Sequence, residues 1–453
     1  MTVLKIKDNT LVGKKYFGEV SRVTGIIADK TLEQLEKEGV FIFPELVKDS
    51  EDITGDQVIL QSVNDYYRSG NIMGFLGYGN ERLVIESRFS TGECDYFFQY
   101  LLERVLNFPN ILDLDTDTNQ DNLMLNLLLF LFPHYLREAM RKGPFKTYIK
   151  NQYNDGNVKG TIDIARHVRK NTPFIGNVAY NQREFSYDNY LIHLIRHTIE
   201  FIKRKPFGNS LLQKAKDEVA LVIRLTNSYE FFDRRKVIAE NIKNPIRHAY
   251  YREYRALQRL CIMILRYEKH QIGSGMRQIH GILFDGAWLW EEYVSLLIGS
   301  DFYHPMNKSG KGAQRLFAGN IGLIYPDFIS RDADNRIIAD AKYKPEDNIK
   351  SNDYQQLLAY MFRFDAKKGL YFYPQNRGIE NIELRMNRGS TYENNVCPRD
   401  DVIVIKCGLV IPDDSIDYSD FKMKIKKSEE TFRTRVLSSL KYSGTIIGTI
   451  GSK

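Results

Sequence analysis

At 453 residues, 43% apolar and 12% aromatic, the chain is too long for one ordinary domain and too apolar for a disordered one. Lys and Arg outnumber Asp and Glu by 64 to 57, which permits a polyanionic partner but excludes a histone-like charge density. Four scattered cysteines without a CxxC pair argue against a zinc site or a disulfide framework and fit a reducing cytoplasm.

The first 120 residues read as mixed α/β, with strands expected around "VFIF" (40–43), "QVILQSV" (57–63) and "RLVIESRF" (82–89). A helix follows over 95–108, with Asp95 as its N-cap. The run "LMLNLLLFLF" (123–132) is only half a membrane span, so a buried helix is expected, ending near Gly143-Pro144. Residues 121–275 are expected to be mainly helical, with a turn and a short strand over "NDGNVKGTIDI" (154–164), and to link the two ends of the chain. Within them Asp188 is expected to cap a helix and Arg183 to form a structural ion pair, while His193 and His197 read as packing or surface residues.

From about 276 the texture changes. A helix over 287–299 precedes strands over 320–330 and 336–345, a helix over 352–364, and strands over 369–374 and 401–412. This order describes an α/β domain around a mixed sheet over 276–420. Residues 421–453, Lys-rich and then Gly/Ser-rich, read as a tail that is mobile near its end. The fold class expected is therefore α/β and α+β multidomain. The N-terminus lacks a signal peptide's apolar core, so the protein is expected to be soluble and cytoplasmic, without a membrane partner.

The stretch "IYPDFISRDADNRIIADAKYKP" (324–345) carries the chemistry. Asp327 stands at the edge of one strand and Asp340 on the next, so a hairpin converges two carboxylates. Alternation puts Asp340, Lys342 and Lys344 on one face, with Ala341 and Tyr343 on the other. Mg2+ takes hard oxygen ligands, commonly one or two carboxylates, and supplies hydroxide for phosphodiester hydrolysis. A lysine two residues on can orient the nucleophile, help its deprotonation or offset transition-state charge. Alone the pattern is weak, but a helix bearing Glu291 and Glu292 precedes it, and one bearing Gln356 and Tyr360 a turn apart follows.

This arrangement resembles the PD-(D/E)xK nuclease superfamily, with "QLLAY" matching the Gln-x-x-x-Tyr of its RecB-like branch and "WEEYV" the upstream acid. Segments 74–106, 136–148, 157–168 and 183–197 resemble the McrC family, the endonuclease subunit of McrBC and LlaJI-type restriction systems. The resemblance implies a Mg2+-dependent endonuclease, with Mn2+ as an alternative ion. Asp327, Asp340 and the Ala341 carbonyl would be metal ligands, Glu291 (chosen over Glu292) would assist, and Lys342 would act on the attacking water. Gln356 and Tyr360 would orient the assembly. It also implies an McrB-like AAA+ GTPase ring as partner, docked by the N-terminal region, double-stranded DNA as substrate, and a nuclease homodimer in the assembly. No G-x-x-x-x-G-K-[ST] occurs, so no nucleotide is expected to bind this chain alone. Two other readings are a stand-alone RecB-like repair nuclease and a GTPase-activating regulator without cleavage activity.

Overall fold

The computed structural model describes residues 2–38, 40–43, 56–92, 94–106, 120–267, 279–305, 314–319, 321–378 and 380–440. Two compact units emerge: Met1–Leu112 together with Met276–Lys453, and Asp113–Gly275. The sequence reading separated 1–120 from 276–420. In the structure these segments pack as one unit, because a strand from the second segment completes a sheet begun by the first.

That first sheet has the order Thr2–Lys7, Glu81–Glu86, Ile72–Tyr78, His280–Asp285, Val40–Phe43. "IMGFLGY" is buried along almost its whole length, as a strand covered on both faces must be. Gly74 lies where it meets the 280–285 strand: its φ is +142°, and a Cβ there would stand 2.1 Å from the Ile282 carbonyl oxygen. Only glycine tolerates both conditions. Val20, Leu35, Leu76, Leu83 and Leu283 fill the core beneath. The expected helix forms over Tyr96–Val105, and Asp95 caps it by accepting the Phe98 N–H at 3.0 Å.

The second sheet of this unit has six strands, ordered Phe302–Tyr303, Phe328–Ser330, Ile337–Ala341, Lys368–Gln375, Cys397–Val410, Ile382–Arg388. Ile337–Ala341 and Lys368–Gln375 run parallel, joined by the helix Ser351–Arg363, a crossover such pairing demands. The single strand expected over 320–330 is divided: Ile321–Ile324 pairs with Gln314–Phe317, and only Phe328–Ser330 enters the main sheet. Pro326, without an N–H to give a ladder, stands in the break.

The expected C-terminal tail is instead a helix over Tyr418–Leu440, and residues 441–453 lie outside the described set. Phe421, Ile425, Phe432 and Val436 are buried at helical spacing, a stripe hidden in the sequence among lysines. Glu429, on the same face, accepts hydrogen bonds from the Tyr100 and Tyr293 hydroxyls, each at 2.7 Å.

The other unit contains the expected helices, among them Gln120–Met140, Tyr190–Lys203 and Glu253–Tyr267. It also holds an antiparallel sheet ordered Thr147–Asp155, Val178–Ser186, Thr161–Ile162, of which the sequence indicates only the last, short strand. "TYIKNQYND" alternates in burial, but its polar inner residues muted that signal. Asn189, not Asp188, caps the following helix through the Leu191 and Ile192 N–H groups. Asp188 instead accepts from His193 Nε2 at 2.5 Å and from the Ser228 N–H at 3.0 Å. Arg183 is exposed and forms no ion pair among the described residues. His197 is buried and its pKa is pushed down to about 4, by burial first and then by the neighbouring His193. Among the described residues no helix is long and apolar enough to cross a membrane.

Candidate active site at the strand ends

Phe328 pairs with Ala339 in the antiparallel register, and one further step brings Asp327 opposite Asp340. The Ala341 N–H donates to Asp327 Oδ2 at 2.8 Å, which locks the Asp327 side chain against the end of the Asp340 strand. Asp340 is 2% exposed. Its Oδ2 lies 2.7 Å from Lys342 Nζ as an ion pair, and this buried oxygen has no other hydrogen-bond partner among the described residues.

Glu291 arrives from the helix Gly286–Ile298, whose N-cap Asp285 accepts the Ala287 and Trp288 N–H groups at 2.6 and 2.9 Å. Trp290 pins this helix to the sheet by donating to the Phe372 carbonyl at 3.0 Å. Consequently Glu291 is buried and its charge bears on Asp327. The Glu292 side chain, 38% exposed, accepts from Trp288 Nε1 at 3.2 Å on the outer side. The choice of Glu291 over Glu292 thus agrees with the packing of the helix.

Three carboxylates in one place is an unfavourable grouping. Burial, and then the charges of Glu291 and Asp340, hold the Asp327 carboxyl well above the usual carboxylate range, opposed by Lys342 and the Ala341 N–H. Lys342 responds in kind. Burial disfavours its charge, but Asp340 and Asp327 outweigh it and push the ammonium pKa up. A lysine so held sits beside these carboxylates as a charged donor.

Lys342 Nζ also donates to Gln356 Oε1 at 3.1 Å, and Gln356 Nε2 donates to the hydroxyl of buried Tyr360 at 2.9 Å. Asp327, Asp340, Lys342, Gln356 and Tyr360 therefore form one connected set, and Glu291 acts on it through its charge on Asp327. Two neighbours were not foreseen. His304 Nδ1 donates to the Asp327 carbonyl at 2.9 Å, and its Nε2 lies 3.8 and 3.6 Å from Glu291 and Glu292. Burial lowers its pKa, but the Glu292 carboxylate, the hydrogen bond to the Asp327 carbonyl and the charge of Glu291 reverse this and raise it. Asp353 accepts from Lys344 Nζ at 2.6 Å and stands 3.9 Å from Lys342 Nζ. Its place one turn before Gln356 was a signal that could have found it; a lone histidine ahead of the hairpin offered none.

Among the described residues no three His, Cys or carboxylate side chains form a metal cage by themselves. The donor set nevertheless suits a hard divalent cation: a buried Asp340 oxygen, paired with Lys342, beside Asp327 and Glu291, whose mutual repulsion a cation would relieve.

Comparison with known proteins bears on the whole chain. No curated protein matches it. A chain of the refined half-complex from a tetradecameric assembly of Thermococcus gammatolerans McrB AAA+ hexamers with bound McrC aligns at 14% identity and TM-score 0.48, covering 97% of this chain and 100% of that one. A chain of the cryo-EM structure of the Thermococcus gammatolerans McrBC complex aligns at 13% identity and TM-score 0.31, covering 66% and 87%. The family described as "McrBC 5-methylcytosine restriction system component" matches residues 67–374, which take in the Ile72–Tyr78, Glu81–Glu86 and His280–Asp285 strands of the first sheet, the whole unit Asp113–Gly275 and the carboxylate hairpin. With that much of its length matched, the chain belongs to the McrBC restriction system component family.

Proposed function

We propose that this chain is the DNA-cutting, McrC-type subunit of such a system: a divalent-cation-dependent endonuclease of the PD-(D/E)xK kind. It works on double-stranded DNA with an McrB-like AAA+ GTPase ring that recognises the DNA. The observation that carries this reading is the convergence of Asp327 and Asp340 on Lys342 at adjacent strand ends, with the charge of helix-borne Glu291 bearing on Asp327. Asp327, Asp340, the Ala341 carbonyl and, in support, Glu291 would hold Mg2+. When bound, that ion neutralises phosphate charge and makes hydroxide available near neutral pH. The Lys342 ammonium, steered by Asp340 and Gln356, donates to the attacking water or a non-bridging phosphate oxygen and offsets the charge that builds there. Tyr360 fixes the Gln356 amide. Cutting both strands needs two such centres, hence a nuclease dimer in the assembly. A regulator that only stimulates a GTPase has no use for this set, so the catalytic reading is preferred.

The test combines the protein with an McrB-like AAA+ partner, GTP, Mg2+ and a plasmid containing 5-methylcytosine. Cutting is expected from the full mixture and not when the partner is left out or EDTA is added. Degradation of linear DNA by this chain with Mg2+ alone would point to a stand-alone nuclease instead. No cutting by the full mixture, with GTP hydrolysis still stimulated, would favour the regulator.

The two glutamates separate in the same assay. Glu291→Gln should slow cutting on the order of 100-fold, the scale for removing a buried charged group from a catalytic centre. Glu292→Gln should stay within about threefold, as expected of a half-exposed side chain. Equal effects would sink the assignment of Glu291.

A further inference from the structure

The residue after Lys342 faces away from the cutting centre and into the end of the first sheet. Tyr343 is 4% exposed, and its hydroxyl lies 2.7 Å from Ser87 Oγ. The Arg88 guanidinium covers its ring at 4.9 Å and the Phe89 ring meets it edge-on at 5.2 Å. Gly286, the first residue of the Glu291 helix, presses on the ring so closely that a Cβ there would stand 2.6 Å from Cε1.

The groups touching Tyr343 are themselves fixed. Asp8, 0% exposed, accepts from the Arg88 backbone N–H at 2.6 Å and from Arg88 Nε at 3.0 Å. Arg88 Nη2 also donates to Asn71 Oδ1 at 2.5 Å, and the Asn71 carbonyl accepts the Gly286 N–H at 2.8 Å. The Ser87 N–H donates to Asp95, the N-cap of the Tyr96–Val105 helix, at 2.5 Å. Segments around residues 8, 71, 87–95 and 286 thus converge on one tyrosine ring. A buried ion pair such as Asp8–Arg88 is a weak source of stability, because desolvation cancels most of the attraction. Fixing a geometry is the better account of it.

We propose that Tyr343, Ser87 and Arg88 are positioning residues for Lys342. Lysine carries its charge on a flexible four-carbon stem, so its ammonium is placed only as well as its backbone is held. Lys342 lies past the last strand residue, Ala341, with its N–H bound to the Phe372 carbonyl at 2.8 Å on one side. The Tyr343 plug holds the other side. The inference rests on the nuclease reading, in which Lys342 acts at the scissile phosphate.

The test uses the complete cleavage assay. Tyr343→Phe and Ser87→Ala remove the same hydrogen bond from opposite ends. Each should lower the rate at saturating DNA by roughly tenfold, the scale of a small misplacement of a catalytic group. KM for DNA and binding of the partner should not change, and the double variant should be no worse than either single one. In a Lys342→Ala background, Tyr343→Phe should cost nothing further, because it acts through the missing ammonium. A merely structural role would cost the same factor in both backgrounds, and that outcome overturns the proposal, as do full cutting rates in both single variants. Should Tyr343→Phe lower the melting temperature, Ser87→Ala decides. Asp340→Asn runs alongside: if it cuts normally, the nuclease reading fails, whereas an inactive Asp340→Asn beside fully active Tyr343→Phe and Ser87→Ala refutes only the positioning role.

Discussion

Asp340→Asn is expected to abolish DNA cleavage, with a loss on the order of 1,000-fold or more, the scale for disabling a group on which the rest of a catalytic unit depends. Asparagine keeps the shape of the side chain, so the strand and its pairing with Lys368–Gln375 should survive. What disappears is a full negative charge at a site 2% exposed, where Lys342 has its nearest partner. The remaining carboxylates would hold a divalent ion less well, so raising Mg2+ should recover part of the lost activity by mass action. Partner binding and stimulated GTP hydrolysis should stay within about twofold, since the substitution alters no exposed surface. The check is a quenched time course of plasmid nicking beside the GTPase rate. Cutting within tenfold of the unsubstituted protein would remove Asp340 from the mechanism.

Lys342→Ala is expected to have the next largest effect, about 100-fold on cutting, for loss of a donor aimed at developing charge. This variant should also be less stable, because it strands the buried Asp340 without its cation. Removing one partner of a buried pair costs about 3 kcal/mol in general, and the Lys342 side chain retains 18% exposure, so a smaller figure is expected here. Lys342→Arg separates the two effects. It keeps the charge beside Asp340 and should restore most of the melting temperature. It should not restore the cutting rate, because a planar guanidinium cannot take the place of a compact ammonium between Asp340 and Gln356. Full activity in the arginine variant would mean that any cation suffices.

Much of the carboxylate hairpin was legible because its signals are local. Period-2 alternation set Asp340 and Lys342 on one face and Tyr343 on the other, and the one-turn spacing of Gln356 and Tyr360 aligned them on a helix. The failures have equally physical causes. Lysines along Tyr418–Leu440 masked a buried stripe whose burial depends on a surface that lies elsewhere in the chain. Polar side chains along Thr147–Asp155 hid a strand. Proline divided what looked like one strand over 320–330.

By itself, then, the sequence determined the character of many segments, though not of the Thr147–Asp155 strand or the Tyr418–Leu440 helix: helix or strand, which residues share a face, and which acids and which lysine lie together on the hairpin. It also carried enough likeness over a long span to indicate the family. Only the tertiary structure decided that Glu291 rather than Glu292 turns inward, that His304 and Asp353 border the site, and that Tyr343 is seated against Ser87 and Arg88. The reason is that periodicity is a property of neighbouring residues, while strand pairing joins residues far apart. His280–Asp285 had to find Ile72–Tyr78 before residue 87 could touch residue 343. No local pattern records that choice.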